Sequence, residues 1–137
     1  MGKRAILMIF LMILLTLGMC GCGKKEPEVK KLRDLNFTVV DQGKLPKELE
    51  KAIGKKKKRE FKLTYTTDEF LYIAVGYGVQ KSGGYSIKVN DLYVTENAIY
   101  FDTELLGPAQ GETVEDVETF PYIVVKLELM DKSVIFQ

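Results

Sequence analysis

Phe70-Leu-Tyr-Ile-Ala-Val75 is apolar at every position. A strand with one wet face alternates, so an unbroken apolar run of this length needs cover on both faces. Any fold for this chain must place that strand centrally, with material above and below it. The run passes through Gly76 and Gly78 to Ser82-Gly83-Gly84-Tyr85, and an alternating run, Tyr85, Ile87, Val89, leaves it. Glycine reaches the positive φ that tight hairpin turns require, so the two runs are expected to pair as a hairpin through Gly83-Gly84. Glycine within a strand pattern, as at Gly76 and Gly78, predicts a bulge or a close backbone approach.

The rest of the body reads as one helix and further strands. Leu45-Pro-Lys-Glu-Leu-Glu-Lys-Ala-Ile-Gly54 has Pro46 placed as in a first helical turn, with Glu48 and Glu50 toward the positive end of the dipole. Leu45, Leu49, Ala52 and Ile53 share one face, which is expected to lie on the sheet. Asn36–Val40 and Phe61–Tyr65 read as short strands. In Tyr85–Val94 the apolar phase shifts by one residue at Asn90-Asp91, as a β-bulge would shift it. Thr95–Ala98 is a turn, with Asn97 suited to left-handed geometry. Ile99, Phe101, Thr103 and Leu105 then alternate. Gly107 to Glu118 is a long acidic irregular segment, and loops near this length are often functional. Phe120–Leu129 is a strand whose start tolerates Pro121. Ser133–Phe136 is a short last strand. The expected fold class is α+β: one N-terminal helix packed on a mainly antiparallel sheet of about five or six strands, joined by sequential hairpins from Phe70 onward.

The first residues have another purpose. Lys3 and Arg4 precede an apolar run, Ala5 to Leu17. It is shorter than the ~20 residues of a spanning helix and reads as a secretory signal. Gly21-Cys22 resembles the lipobox of bacterial lipoproteins, making Cys22 the expected lipidation site, with Cys20 as the alternative. An uncleaved N-terminal anchor would also hold the body at the membrane, outside the cytoplasm. Residues 1–21 are thus read as a lipoprotein signal peptide, 22–35 as a tether and 36–137 as a single domain. Residues 22–62 carry 14 basic and 7 acidic side chains, whereas 63–137 carry 4 and 12. A basic segment near the anchor suits an anionic membrane surface, and an ordinary solvated surface explains it equally well. The same two readings apply to Lys55-Lys-Lys-Lys-Arg59.

The chain has no histidine and no tryptophan, and both its cysteines lie in the leader region. His-based triads, His or Cys metal ligands and thiolate nucleophiles are therefore excluded from the body. Ser82 and Ser86 have no histidine to activate them. Asp102 and Glu104 share the outward face of a strand, a poor place for a raised carboxyl pKa. Glu112, Glu115, Asp116 and Glu118 lack calcium-loop spacing. No phosphate loop occurs, because the glycines are not followed by a helix. No catalytic residue, metal site or cofactor is expected, and the absence of an aromatic platform beside the lysines argues against nucleic acid.

The order Tyr72-Ile-Ala-Val-Gly-Tyr-Gly78, Ser82-Gly-Gly-Tyr-Ser-Ile87, Gly107-Pro108 and Phe120-Pro-Tyr-Ile-Val-Val-Lys126 resembles the C-terminal domain of the PrcB family, over roughly residues 60–137. That family is named for a subunit of a bacterial surface protease complex. Ser82 stands where the family usually has Thr, and the hydroxyl is kept. The resemblance implies a non-catalytic accessory protein that supports or regulates a secreted or surface protease. It also implies a binding surface from Ser82, Gly83, Gly84, Tyr85, Gly107, Pro108, Phe120, Pro121 and Tyr122. Read without it, the glycines serve turn geometry and the aromatics serve the core. A structural envelope lipoprotein binding peptidoglycan or a surface polymer is the alternative function, and a carboxylate enzyme is the least favoured.

Overall fold

The computed structural model describes Gly23 and residues 29–137. The leader, with Cys20, and Cys22 and residues 24–28 of the tether lie outside the described residues. The chain runs β1 (Arg33–Asp34), β2 (Thr38–Val39), a 3-10 turn (Gln42–Lys44), α1 (Lys47–Lys56), β3 (Glu60–Thr66), β4 (Phe70–Tyr77), β5 (Ser86–Val94), β6 (Ala98–Leu106), β7 (Tyr122–Glu128) and β8 (Ser133–Phe136). Two four-stranded sheets form, one in the order β1-β5-β6-β8 and the other β2-β7-β4-β3.

The expected central strand is central. β4 pairs with β3 on one side and β7 on the other. Its alternate residues Leu71, Ile73 and Val75 face the opposite sheet, joining Leu92, Ile99, Phe101 and Val125 in the larger core. Tyr72 and Ala74 face the other way, into a second core with Leu45, Leu49, Ile53, Phe61 and Val124. α1 thus covers one face of β4 and the other sheet covers its second face. That is why the run has no polar position: Ile73 and Ala74 are both fully buried, on opposite faces. Each large apolar side chain so buried contributes about 1.5–3 kcal/mol.

Two expectations are corrected. The α+β class holds, but among the described residues one helix accompanies eight strands that form two sheets rather than one sheet of five or six. The expected hairpin through Gly83-Gly84 does not form: β4 and β5 lie in different sheets, and Gly78 to Tyr85 is a crossover between them. The links from β6 to β7 and from β7 to β8 cross over as well, so of the connections after β4 only β5–β6 is a hairpin. The cause is burial. Pairing β4 directly with β5 would leave no second sheet to cover the Leu71-Ile73-Val75 face. β8 returns beside β6 in parallel, the one parallel pairing among the described strands.

Local signals fare better. The register of β5 against β6 shifts between Val89 and Asp91, where the phase change predicted a bulge. Gly78 is the close backbone approach expected, against Arg59 and Glu60, whereas at Gly76 the close neighbour is a side chain, for a Cβ there would overlap the Phe61 ring. α1 starts after Pro46 and buries Leu49 and Ile53. Asn97 does not take left-handed geometry; the β5–β6 turn is instead held by buried Thr95, whose Oγ1 accepts from the Asn97 and Ala98 amides. β1, within the segment read as tether, carries no sequence signal of its own. It forms because Leu35 drops into the inter-sheet core while the Leu32 and Leu35 amides donate to Val94 and Leu92 carbonyls.

Candidate functional site

The crossover and the long loop meet at one end of the sandwich. Gln80 and Thr119 exchange two backbone hydrogen bonds, at 2.8 and 3.0 Å. Thr119 Oγ1 donates to the Ser82 carbonyl at 2.8 Å. The Gly83 amide donates to the Glu115 carbonyl at 3.0 Å. Gly84 takes φ +85°, and a Cβ on it would lie 2.6 Å from Val114 Cγ1 and 3.1 Å from Pro108 Cβ. Gly107 sits against the Tyr85 ring, with 3.6 Å available to a Cβ. The positive φ anticipated for the Gly-Gly step is real at Gly84 and absent at Gly83.

The acidic loop is pinned rather than free. Ala109 to Glu112 closes a turn through Gly111 at φ +82°, with the Glu112 amide on the Ala109 carbonyl and the Ala109 amide on the Glu112 carboxylate at 2.8 Å. Val114, Glu115 and Thr119 then fasten the remainder to the crossover. Between those fasteners Val117 is 51% exposed, flanked by exposed Asp116 and Glu118. Ordered exposed residues on a fixed frame lose little entropy when they are bound.

Of the nine residues expected to bind, Ser82, Gly83, Gly84, Tyr85, Gly107 and Pro108 come together as one loop cluster. The other three lie alongside. Phe120 lies under Lys57, whose Nζ is 5.5 Å from the ring centroid. Pro121 accepts from the Tyr77 amide at 3.0 Å. Tyr122 packs on the α1 core and stands 6.3 Å, ring to ring, from Phe61. Burial raises the Tyr122 phenol pKa above its ordinary value, and the nearby Glu50 carboxylate adds to the rise. Tyr122 is thus largely structural, in line with the reading that gave the aromatics to the core. Val114, Gln80 and Thr119 were not singled out from sequence; they hold the cluster through backbone bonds, the Thr119 hydroxyl and one packing contact, which leave no motif.

The same end carries the basic turn. Gly78 lies against the backbone of Arg59 and Glu60, so Lys55–Arg59 borders the cluster. The chain joins the domain at the opposite end, where the Leu32 amide meets the Val94 carbonyl. There the Lys132 ammonium ties the β7–β8 and β5–β6 turns together by donating to the Thr95 and Glu96 carbonyls. Glu104 is paired with Lys88 at 3.8 Å, both exposed. Among the described residues, no group of three or more acidic side chains is arranged to hold a metal ion.

Residues 71–128 match the protein family described as PrcB C-terminal. The matched segment runs from β4 to the end of β7 and so contains the crossover and the acidic loop whole. No curated protein and no solved structure matches the chain.

Proposed function

We propose that this chain, whose residues 71–128 match the PrcB C-terminal family, is a non-catalytic accessory lipoprotein. It stands outside the cytoplasm on a lipid at Cys22 and binds a secreted or surface protease through the Ser82–Tyr85 and Gly107–Val117 cluster. The observation that carries this reading is the placement of the two ends. Leu32 enters beside Val94 at one end of the sandwich, and the pinned loops occupy the other. A domain tethered by its N-terminus then holds the cluster away from the bilayer, where an extracytoplasmic partner can reach it. The basic run Lys55–Arg59 lies at the loop end too, so it serves the partner side rather than the lipid headgroups.

The test is recovery of the partner. Full-length protein captured in detergent from its own cells, crosslinked through a photoreactive residue at Val117, should carry a secreted or membrane protease. The same crosslinker on Val39, exposed on β2 and outside the cluster, should not. Recovery of cell-wall polymer at Val117 instead, with proteolysis unchanged in a deletion strain, would favour the envelope-binding alternative and end the protease reading.

A further inference from the structure

The flank of the sandwich between β3 and β8 is open. In β3, Phe61, Leu63 and Tyr65 face the helix layer. Its other residues, Glu60, Lys62, Thr64 and Thr66, are paired with Tyr77, Val75, Ile73 and Leu71 and so face between the sheets. Polar residues on the inner face of an edge strand protect that edge and keep the two sheets from closing over it. The result is a cleft of about 460 Å³ floored by Val75, Tyr77, Phe101 and Thr103, with Phe136 on the far wall. Tyr77 Oη and Thr103 Oγ1 satisfy each other at 2.6 Å, leaving the remaining floor apolar.

The far wall is an undefended edge. Ser133-Val-Ile-Phe-Gln137 has no charge, no proline and no bulge, against the charged two-residue β1 and the inward charges of β3. The Gln137 amide donates to the Phe101 carbonyl, toward β6. Backbone groups alternate sides along a strand, so those of Val134 and Phe136 face outward, with no strand of the described residues beside them. At the mouth, Lys62 Nζ stands 5.7 Å from the Phe136 ring centroid, and no carboxylate of the described residues lies within ion-pair distance of it.

From this geometry we infer a second docking surface, for an extended peptide segment of a partner protein. The segment adds as a strand to the free edge of β8, inserts a large apolar side chain into the cleft and sets a carboxylate two residues away against Lys62. Strand addition of this kind draws affinity from main-chain hydrogen bonds and specificity from alternate side chains. A second copy of the chain is the weaker occupant, because its own β8 turns Val134 and Phe136 into its own interior and brings nothing to fill the cleft. The surface lies outside residues 71–128 on its β3 and β8 sides, so it does not depend on the protease-binding reading of the loops.

The probe is the labelled peptide Thr-Thr-Phe-Thr-Asp-Thr-Thr, titrated by fluorescence anisotropy against the full-length protein in detergent. It should bind, and replacing its Phe by Ala should weaken binding at least about tenfold. Val134→Pro removes an outward-facing amide that β6 does not use, and should abolish binding while leaving the circular dichroism spectrum unchanged. Should that variant fail to fold, the exposed Lys62→Glu decides the matter: it should weaken the Asp peptide and be rescued by a peptide carrying Lys in place of Asp. Absence of binding, binding untouched by Val134→Pro, or no charge-swap rescue would overturn the inference. So would a dimer, seen by sedimentation, that Val134→Pro disperses.

Discussion

Val114 occupies the space that any side chain on Gly84 would need, with its Cγ1 2.6 Å from an ideal Cβ there. Gly84 also holds φ +85°. The acidic loop is therefore seated on the crossover by a contact that only glycine permits. Gly84→Val places a β-branched residue at positive φ and into Val114 at once. Strain and overpacking together should cost about 2–5 kcal/mol, measured by urea unfolding, and should loosen the loop. Gly84→Ala should cost less but still destabilise, and a neutral result there would show that the loop moves aside freely.

A second glycine acts through a different partner. Gly76 sits opposite Phe61 across β3 and β4, and the ring lies where a Cβ would be. Gly76→Ala should destabilise by about 1–3 kcal/mol in the parent protein through overpacking. In a Phe61→Ala background the same change should be neutral or gain about 0.4–1 kcal/mol, because alanine costs less chain entropy to order. A double-mutant cycle by denaturation reads this coupling directly, and simple additivity would contradict it.

Stability should fall on the alkaline side. The Tyr122 phenol is raised in the folded state, first by burial and then by Glu50. The unfolded chain then loses this proton first, at about pH 10, so unfolding becomes more favourable as pH rises from there through the folded value. Below about pH 9 the group has no effect on the pH slope. Tyr65, partly buried against the α1 core, is raised by burial and by Glu48 and acts in the same direction. Tyr122→Phe should flatten the alkaline decline in melting temperature between about pH 9 and 11. A decline of equal slope in that variant would assign it elsewhere.

Anchoring is tested at the cysteines. Cys22→Ala should release the protein from the membrane fraction or leave its leader uncleaved, while Cys20→Ala should do neither. Fractionation and a mobility shift on gels distinguish the two, and the reverse pattern would move the lipid to Cys20.

Much of the local structure could be read from residue order. The bulge beside Asn90, the helix on Leu49 and Ile53, the close approach at Gly78 and the positive φ at Gly84 each depend on a few neighbouring residues, whose patterns survive in one dimension. The loop cluster was legible only in part. Ser82–Tyr85 and Gly107-Pro108 stood out by composition, yet Gln80, Val114 and Thr119, which bind them together, act through a backbone bridge, one methyl contact and one hydroxyl bond whose partners are distant in sequence. Phe120 and Tyr122 could be read either as a contact ridge or as core aromatics at a strand entry, and strand alternation in β7 turns Tyr122 and Val124 to the helix while Ile123 and Val125 face the other sheet.

What the sequence determined by itself is that Phe70 to Val75 must be covered on both faces, since no polar residue in it can meet water. It did not determine with what. A glycine step such as Gly83-Gly84 takes the same local geometry whether the next strand folds back beside the last or leaves for another layer. The choice was made by burial summed over distant residues: Leu71, Ile73 and Val75 find Leu92, Ile99 and Phe101 only if β5 and β6 belong to a second sheet. That non-local balance turned an expected hairpin into a crossover, and it placed the crossover against the acidic loop.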